Sequence, residues 1–236
     1  MAMSANATDS KKHGIVKRFL DAKWAWDFVQ GPIYNHLVIK AASGLFEQFV
    51  HEVEAPENAR ILDIGSGPGH VTLMFARKYP GAEIVGVDYS PTQVRYANRL
   101  LKREALPNCS LRIGDAMSLP FVDASFDIVV SVACIKHWPD KLRGLLEIKR
   151  ILAPGGKAYI AEADREASEK DFTAFAEKFT AWYVFKPFMR WYLRKIVFGK
   201  SVSADEIKAL VYEAGFADVS VVKAPEGPFL IMKAGK

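Results

Sequence analysis

The 236 residues are half hydrophobic and one quarter charged, enough for one large domain or one domain with a cap but not for two. Two cysteines, Cys109 and Cys134, are too few for a disulfide framework or a zinc cluster, so a reduced, cytoplasmic setting without a metal site is expected. The net charge of +5 permits an anionic partner without requiring one, no stretch reaches the ~18 apolar residues of a membrane span, and the polar opening residues lack the apolar run of a signal peptide.

Residues 15–30 and 33–52 read as two helices broken at Gly31-Pro32, with Ile15, Phe19 and Leu20, then Leu45, Phe46 and Phe49, at helical spacing. From Ala59 the pattern changes. ARILDIG, AEIVGVD, CSLRIGD, FDIVVSV and KAYIAEA read as strands, with helices predicted over 68–79, 91–105 and 140–152. Leu152-Ala153-Pro154-Gly155-Gly156 reads as a helix end and turn before the fifth strand. Such alternation means parallel strands joined by crossover helices, a doubly wound α/β sheet.

Residues 168–198 break the rhythm with a helical stretch rich in aromatic and basic residues. A helix over 203–214, a strand over 217–223, a Pro-Glu-Gly-Pro turn and a strand over 228–233 follow, the two strands close enough to pair as an antiparallel hairpin. The expected organisation is an N-terminal tail and helical extension (1–57), an α/β core (58–167), a helical lid insertion (168–200) and a C-terminal helix and hairpin completing the core (201–236).

The first strand runs into Asp63-Ile64-Gly65-Ser66-Gly67-Pro68-Gly69 and then a helix. Glycines there let the backbone turn tightly beside the positive end of a helix. Alone, such a turn suits a dinucleotide, a phosphate or no ligand at all. His70 stands where a dinucleotide fingerprint has its last glycine, which disfavours a dehydrogenase. Asp88 ends the second strand about twenty residues on, where a carboxylate can accept both hydroxyls of a ribose, and Tyr89 beside it can lie against a purine face. Asp115, after the third strand, can accept from an exocyclic adenine amine, with the Ala116 backbone N–H facing the ring.

DIGSGPG, VDYS, GDAMSLPFVDASFDIVVS and LEIKRILAPGG, in this order and spacing, resemble the class I S-adenosylmethionine-dependent methyltransferases of the ubiquinone/menaquinone-biosynthesis type, most strongly over residues 58–163. The resemblance implies a Rossmann-like, seven-stranded sheet with an antiparallel last strand, and S-adenosylmethionine lying across the C-terminal edge of the strands. It assigns Asp63, Gly65 and Gly67 to the methionine part, Asp88 to the ribose, Tyr89 to the adenine face, Asp115 and Ala116 to the adenine edge, and Val132 to a backbone contact. It also sets Tyr34 near the donor.

On the acceptor side, Ala133-Cys134-Ile135-Lys136-His137-Trp138-Pro139 follows the fourth strand. His137 is the candidate general base, since an imidazole titrates near neutrality; the other reading is a histidine that caps the loop or packs on Trp138. Glu162 and Asp164 are further candidates for orienting the acceptor or that histidine, whereas Cys134 is expected to be simply buried. Phe172, Phe175, Phe179 and Trp182 recur at helical spacing, as core packing or as the roof of an apolar pocket. The aromatic and basic run over 185–198 fits a lipid-like or anionic acceptor, a peripheral membrane contact or a solvated face.

A small-molecule methyltransferase for a hydrophobic or aromatic acceptor is the expected function. The absence of an Asn-Pro-Pro-Tyr-like motif and the scattered positive charge argue against a nucleic-acid (RNA) methyltransferase. A non-catalytic cofactor-binding scaffold stays open, because the glycine turn and the acids speak for binding and not for turnover.

Overall fold

A computed structural model describes residues 39–178, 186–225 and 227–236. Helix α1 (Ile39–Glu52) leads into β1 (Arg60–Ile64), α2 (His70–Lys78), β2 (Glu83–Asp88), α3 (Pro91–Glu104), β3 (Cys109–Ile113) and β4 (Phe126–Val132). A single 3₁₀ turn (Ile135–His137) precedes α4 (Lys141–Ile151) and the long β5 (Leu152–Ala163). Then come α5 (Glu169–Glu177), α6 (Lys186–Tyr192) continuing as a π-helical turn (Leu193–Phe198), α7 (Ala204–Glu213), β6 (Ala217–Lys223) and β7 (Phe229–Gly235).

The helix starts are written in single residues. Ser90 accepts from the Gln93 N–H with Pro91 behind it, Asp140 accepts from the Arg143 N–H, and Ser203 accepts from the Glu206 N–H. Each satisfies an orphan amide and stops the preceding chain from continuing straight.

The seven strands form one sheet in the order β3-β2-β1-β4-β5-β7-β6, with β1 to β5 mutually parallel and β7 antiparallel to both neighbours. This is the doubly wound sheet with an antiparallel last strand expected from the sequence. Ile61, Val130 and Ala161 join Phe49 and Phe75 in a core on one face, while Leu62, Val129 and Ile160 join Leu145, Ile148 and Val211 on the other. Strands buried on both faces need apolar residues at consecutive positions, which is how β1 and β4 read.

Two local expectations change. The segment Leu152 to Gly156 is not a turn ahead of β5 but its first part: Leu152 pairs with Phe126, and the register shifts before Ile128 pairs with Lys157. The glycines make an irregularity inside a strand, so sheet pairing overrides local turn chemistry. In the insertion, Phe172 and Phe175 are buried and meet Phe198 and Phe229 edge-on, with Phe175 centred 5.1 Å from Phe229. These two rings are core packing against β7, not a pocket roof. Phe179, Trp182, Tyr34 and the helix expected over 15–30 lie outside the described residues.

Two basic residues of α6 and its π turn, Arg190 and Arg194, are engaged within the insertion. Arg190 and Arg194 both pair with Glu169 and stack over the Phe172 ring. Among the described residues no helix is long and apolar enough to cross a membrane.

Candidate functional site

Parallel strands deliver their C-terminal ends to one edge, and that edge collects the residues singled out from the sequence. Asp63 is opposite Gly86 and Val130, Asp88 is opposite Ile113, and Val132 is opposite Ala161. Gly65 and Gly67 follow β1, Asp115 and Ala116 follow β3, and His137 follows β4. The switch point between β1 and β4, where the strand order reverses, is where open α/β sheets hold ligands.

The glycine turn is built for close approach. Gly65 and Gly67 have φ of +73° and +52°, a region L-residues disfavour. A Cβ on Gly65 would lie 2.1 Å from the Cys134 sulfur, so this glycine is needed for packing against the β4 loop. A Cβ on Gly67 would meet nothing within 4 Å, so there the backbone faces open space. The Gly65 and Ser66 amides both donate to Val87 O, which ties the turn to β2.

Asp63 is 1% exposed, and Thr72 Oγ1 of α2 donates to its Oδ2 at 2.6 Å. Burial, against the opposing Thr72 hydrogen bond and with help from the Asp88 charge, pushes its pKa up to about 7, and no cation among the described residues offsets that. A buried acid left without a cation beside an open glycine turn fits a ligand bearing an ammonium group.

Asp88 has a structural duty. Its Oδ2 accepts from the Gly67 N–H and its Oδ1 from the Ser90 N–H, both at 2.8 Å. The carboxylate therefore braces the glycine turn against the start of α3. Tyr89, the next residue, is exposed. Asp115 Oδ1 accepts from the Met117 N–H at 2.9 Å, which curls 115–118 over the tip of β3.

Sequence reasoning missed the two residues that hold the next segment. Glu147 accepts from the Leu119 N–H, and Arg150 donates to the Leu119 and Phe121 carbonyls while bridging Glu147 and Asp123. The Arg150 hydrogen bond holds the Glu147 carboxyl below its ordinary range. Both sit in the LEIKRILAPGG motif, whose acid and arginine thus secure the loop beside Ala116.

The acceptor-side loop leaves β4 with Ala133 at φ +54° and closes with His137 N–H donating to Cys134 O and Trp138 N–H to Ile135 O. Burial pushes the Cys134 thiol up to about 12, so it is no nucleophile; its sulfur instead accepts from the Trp138 indole at 3.2 Å. His137 is exposed at this edge. The surrounding protein, then the Lys136 and Lys200 charges, hold its imidazole well below its usual value.

Glu162 pairs with Lys136 beneath the loop. Asp164 accepts from the Glu166 N–H and bridges to Val202, a structural role at the end of β5. Two shallow surface hollows elsewhere, at Gly81–Ser110 and between α3 and Ile113, carry none of these groups, so the strand-tip edge is the candidate site on chemical grounds.

Residues 62–160 match a family described as a methyltransferase domain. The chain is 38% identical over 103 residues to the demethylmenaquinone methyltransferase of Thermus thermophilus, covering 44% of this chain and 46% of that protein. It is 28% identical over 181 residues to the chloroplastic tocopherol O-methyltransferase of Arabidopsis thaliana, covering 68% and 52%. The chain thus spans about half the length of these curated relatives. Phosphoethanolamine N-methyltransferase 2 of Haemonchus contortus, solved with S-adenosyl-L-methionine, superposes with a TM-score of 0.63 at 18% identity, covering 92% of this chain and 59% of that one; at that identity the likeness is one of fold.

Proposed function

With residues 62–160 a class I S-adenosylmethionine-dependent methyltransferase domain, we propose that the chain transfers the donor's methyl group to a small, apolar or aromatic acceptor by in-line displacement. The observation that carries this reading is one edge holding both the glycine turn with its two acids and, across Cys134, the His137 loop. The donor, when bound, supplies a methyl group already activated on a sulfonium.

The protein's part is placement and proton handling. Asp63 holds the ammonium end, and the Gly65–Gly67 backbone lets the methionine part approach. Asp88 accepts from the ribose hydroxyls, Tyr89 covers the adenine, and Asp115 with the Ala116 and Val132 backbones reads its edge. Alignment of this kind contributes several kcal/mol, up to about 7–11 in the best intramolecular systems.

His137, neutral at working pH, accepts the proton that a phenol or enol hydroxyl loses as its oxygen takes the methyl group. Relatives named for tocopherol and demethylmenaquinone support an apolar ring acceptor.

The test is transfer of radiolabel from the donor to a panel of phenols, hydroquinones and amines. His137→Ala should slow the single-turnover rate by roughly a hundredfold or more with donor affinity unchanged. In the wild type with saturating donor, the rate should fall only under acid conditions, since the imidazole is held well below its usual value. A wild-type rate in His137→Ala would withdraw the base and leave positioning alone. A protein that binds NAD in preference to S-adenosylhomocysteine would sink the methyl-transfer reading.

A further inference from the structure

A buried ion pair lies directly under the acceptor-side loop and has no part in the chemistry above. Lys136 Nζ is 2.9 Å from Glu162 Oε1, with the two side chains only 4% and 1% exposed. The same ammonium donates to Ala133 O at 2.5 Å, closing the left-handed bend at which the loop leaves β4. The Glu162 carboxylate also accepts from the Lys136 main-chain N–H at 3.3 Å and from the Ala163 N–H at 2.7 Å. One carboxylate on β5 thus takes hydrogen bonds from a side chain and a main-chain amide of the loop and from its own strand.

Such a pair is a poor device for stability alone, because desolvating two charges offsets most of their attraction and an apolar pair of similar volume does as well. What an apolar pair cannot do is fix a main-chain amide at a defined place. The loop fixed here reaches both halves of the site. Cys134 abuts Gly65 of the glycine turn, while Trp138 fills the space over Gly144, where a Cβ would lie 2.4 Å from its ring.

We infer that the Lys136–Glu162 pair positions the acceptor-side loop, setting His137 relative to the glycine turn. Lys136 and Glu162 are then positioning residues, acting through the loop backbone. The inference rests on the proposed role of that loop as the acceptor side.

The test uses hydrogen exchange on the full chain, with S-adenosylhomocysteine affinity measured alongside. Lys136→Met leaves a buried carboxylate unpaired and should lower Tm by about 10 °C. Lys136→Met/Glu162→Leu should recover most of that Tm. Its amides over 135–138 should nevertheless exchange roughly 30-fold faster or more, with sheet amides unchanged. Lys136→Met/Glu162→Gln keeps an acceptor for the main-chain N–H of position 136 and should restore slow exchange.

Wild-type protection of 135–138 in the Leu variant would overturn the inference, because the pair would then be replaceable packing. Fast exchange in the Gln variant would overturn it too, and that variant decides the matter if the Leu variant fails to fold. Variants that show this pattern, in a wild-type background that does not bind S-adenosylhomocysteine, would remove the methyl-transfer reading and keep the positioning one.

Discussion

The two halves of the candidate site are held by different physics. Around β1, β2 and β3 the geometry is local: glycines with positive φ, and a strand-tip acid, partly open to water, bracing a turn 21 residues away. Around β4 and β5 it is global: a desolvated ion pair, an indole on a thiol, and a phenylalanine cluster linking the insertion to β7. The donor half reads as a reusable socket, whereas the acceptor half depends on what is packed behind it. A change of acceptor would therefore need changes in the core, and a change of donor would not.

The largest effect that sharpens this contrast is expected at Phe175. Phe175→Ala should cost about 3–5 kcal/mol of stability in urea melts, because the ring is buried among Phe198 and Phe229. Binding of S-adenosylhomocysteine by the folded fraction should be unchanged; a parallel loss of donor affinity would break the separation of the halves.

Next comes Asp88→Ala, expected to weaken calorimetric binding of S-adenosylhomocysteine by about 1.5–3 kcal/mol. Since the same carboxylate holds the Gly67 amide, exchange at Gly67 should quicken while the His137 loop stays protected. Unchanged affinity would mean that the ribose lies elsewhere.

The smallest effect concerns a proton on Asp63. Its folded pKa of about 7 stands above the ordinary 3.8, so the folded protein holds a proton there that the unfolded chain gives up in between. That contribution to stability is full below about pH 4 and is lost as pH rises through 7. Asp63→Asn should accordingly raise the Tm of the ligand-free protein more at pH 8 than at pH 5. In the wild type, an arriving ammonium should expel roughly half a proton at pH 7, seen as a dependence of binding enthalpy on the buffer's ionisation enthalpy. No such dependence would place the ammonium away from Asp63.

This asymmetry also decides what could be read from the sequence. The sheet and most of its helices are legible because apolar runs and caps such as Ser90 and Asp140 are local signals. DIGSGPG and Asp88 are legible for the same reason. The Lys136–Glu162 pair is not: α4 and most of β5 intervene, and nothing in the spacing of a lysine beside Ile135 announces a carboxylate 26 residues on. The glycines of Leu152–Gly156 mislead in the opposite direction, since their turn chemistry is real but pairing with β4 absorbs it. Phe172 and Phe175 stand at a spacing that fixes a helix face, but only the neighbours decide whether that face meets a ligand or Phe229.

The position of β7 carries a consequence for how the chain is made. It is the last strand in chain order, yet it slots between β5 and β6, which are synthesised earlier. Until it arrives, the main-chain edge of β5 from Lys157 to Ala163 is bare, although this strand carries Glu162 and buried residues on both faces of the sheet. A nascent chain therefore exposes a hydrophobic strand edge, the kind of surface that joins wrongly to other strands, through the whole synthesis of α5 to β6. Folding of the acceptor half is thus a late and non-local event, and rare codons or a stall within α7 and β6 would lengthen the interval in which a chaperone has to shield that edge.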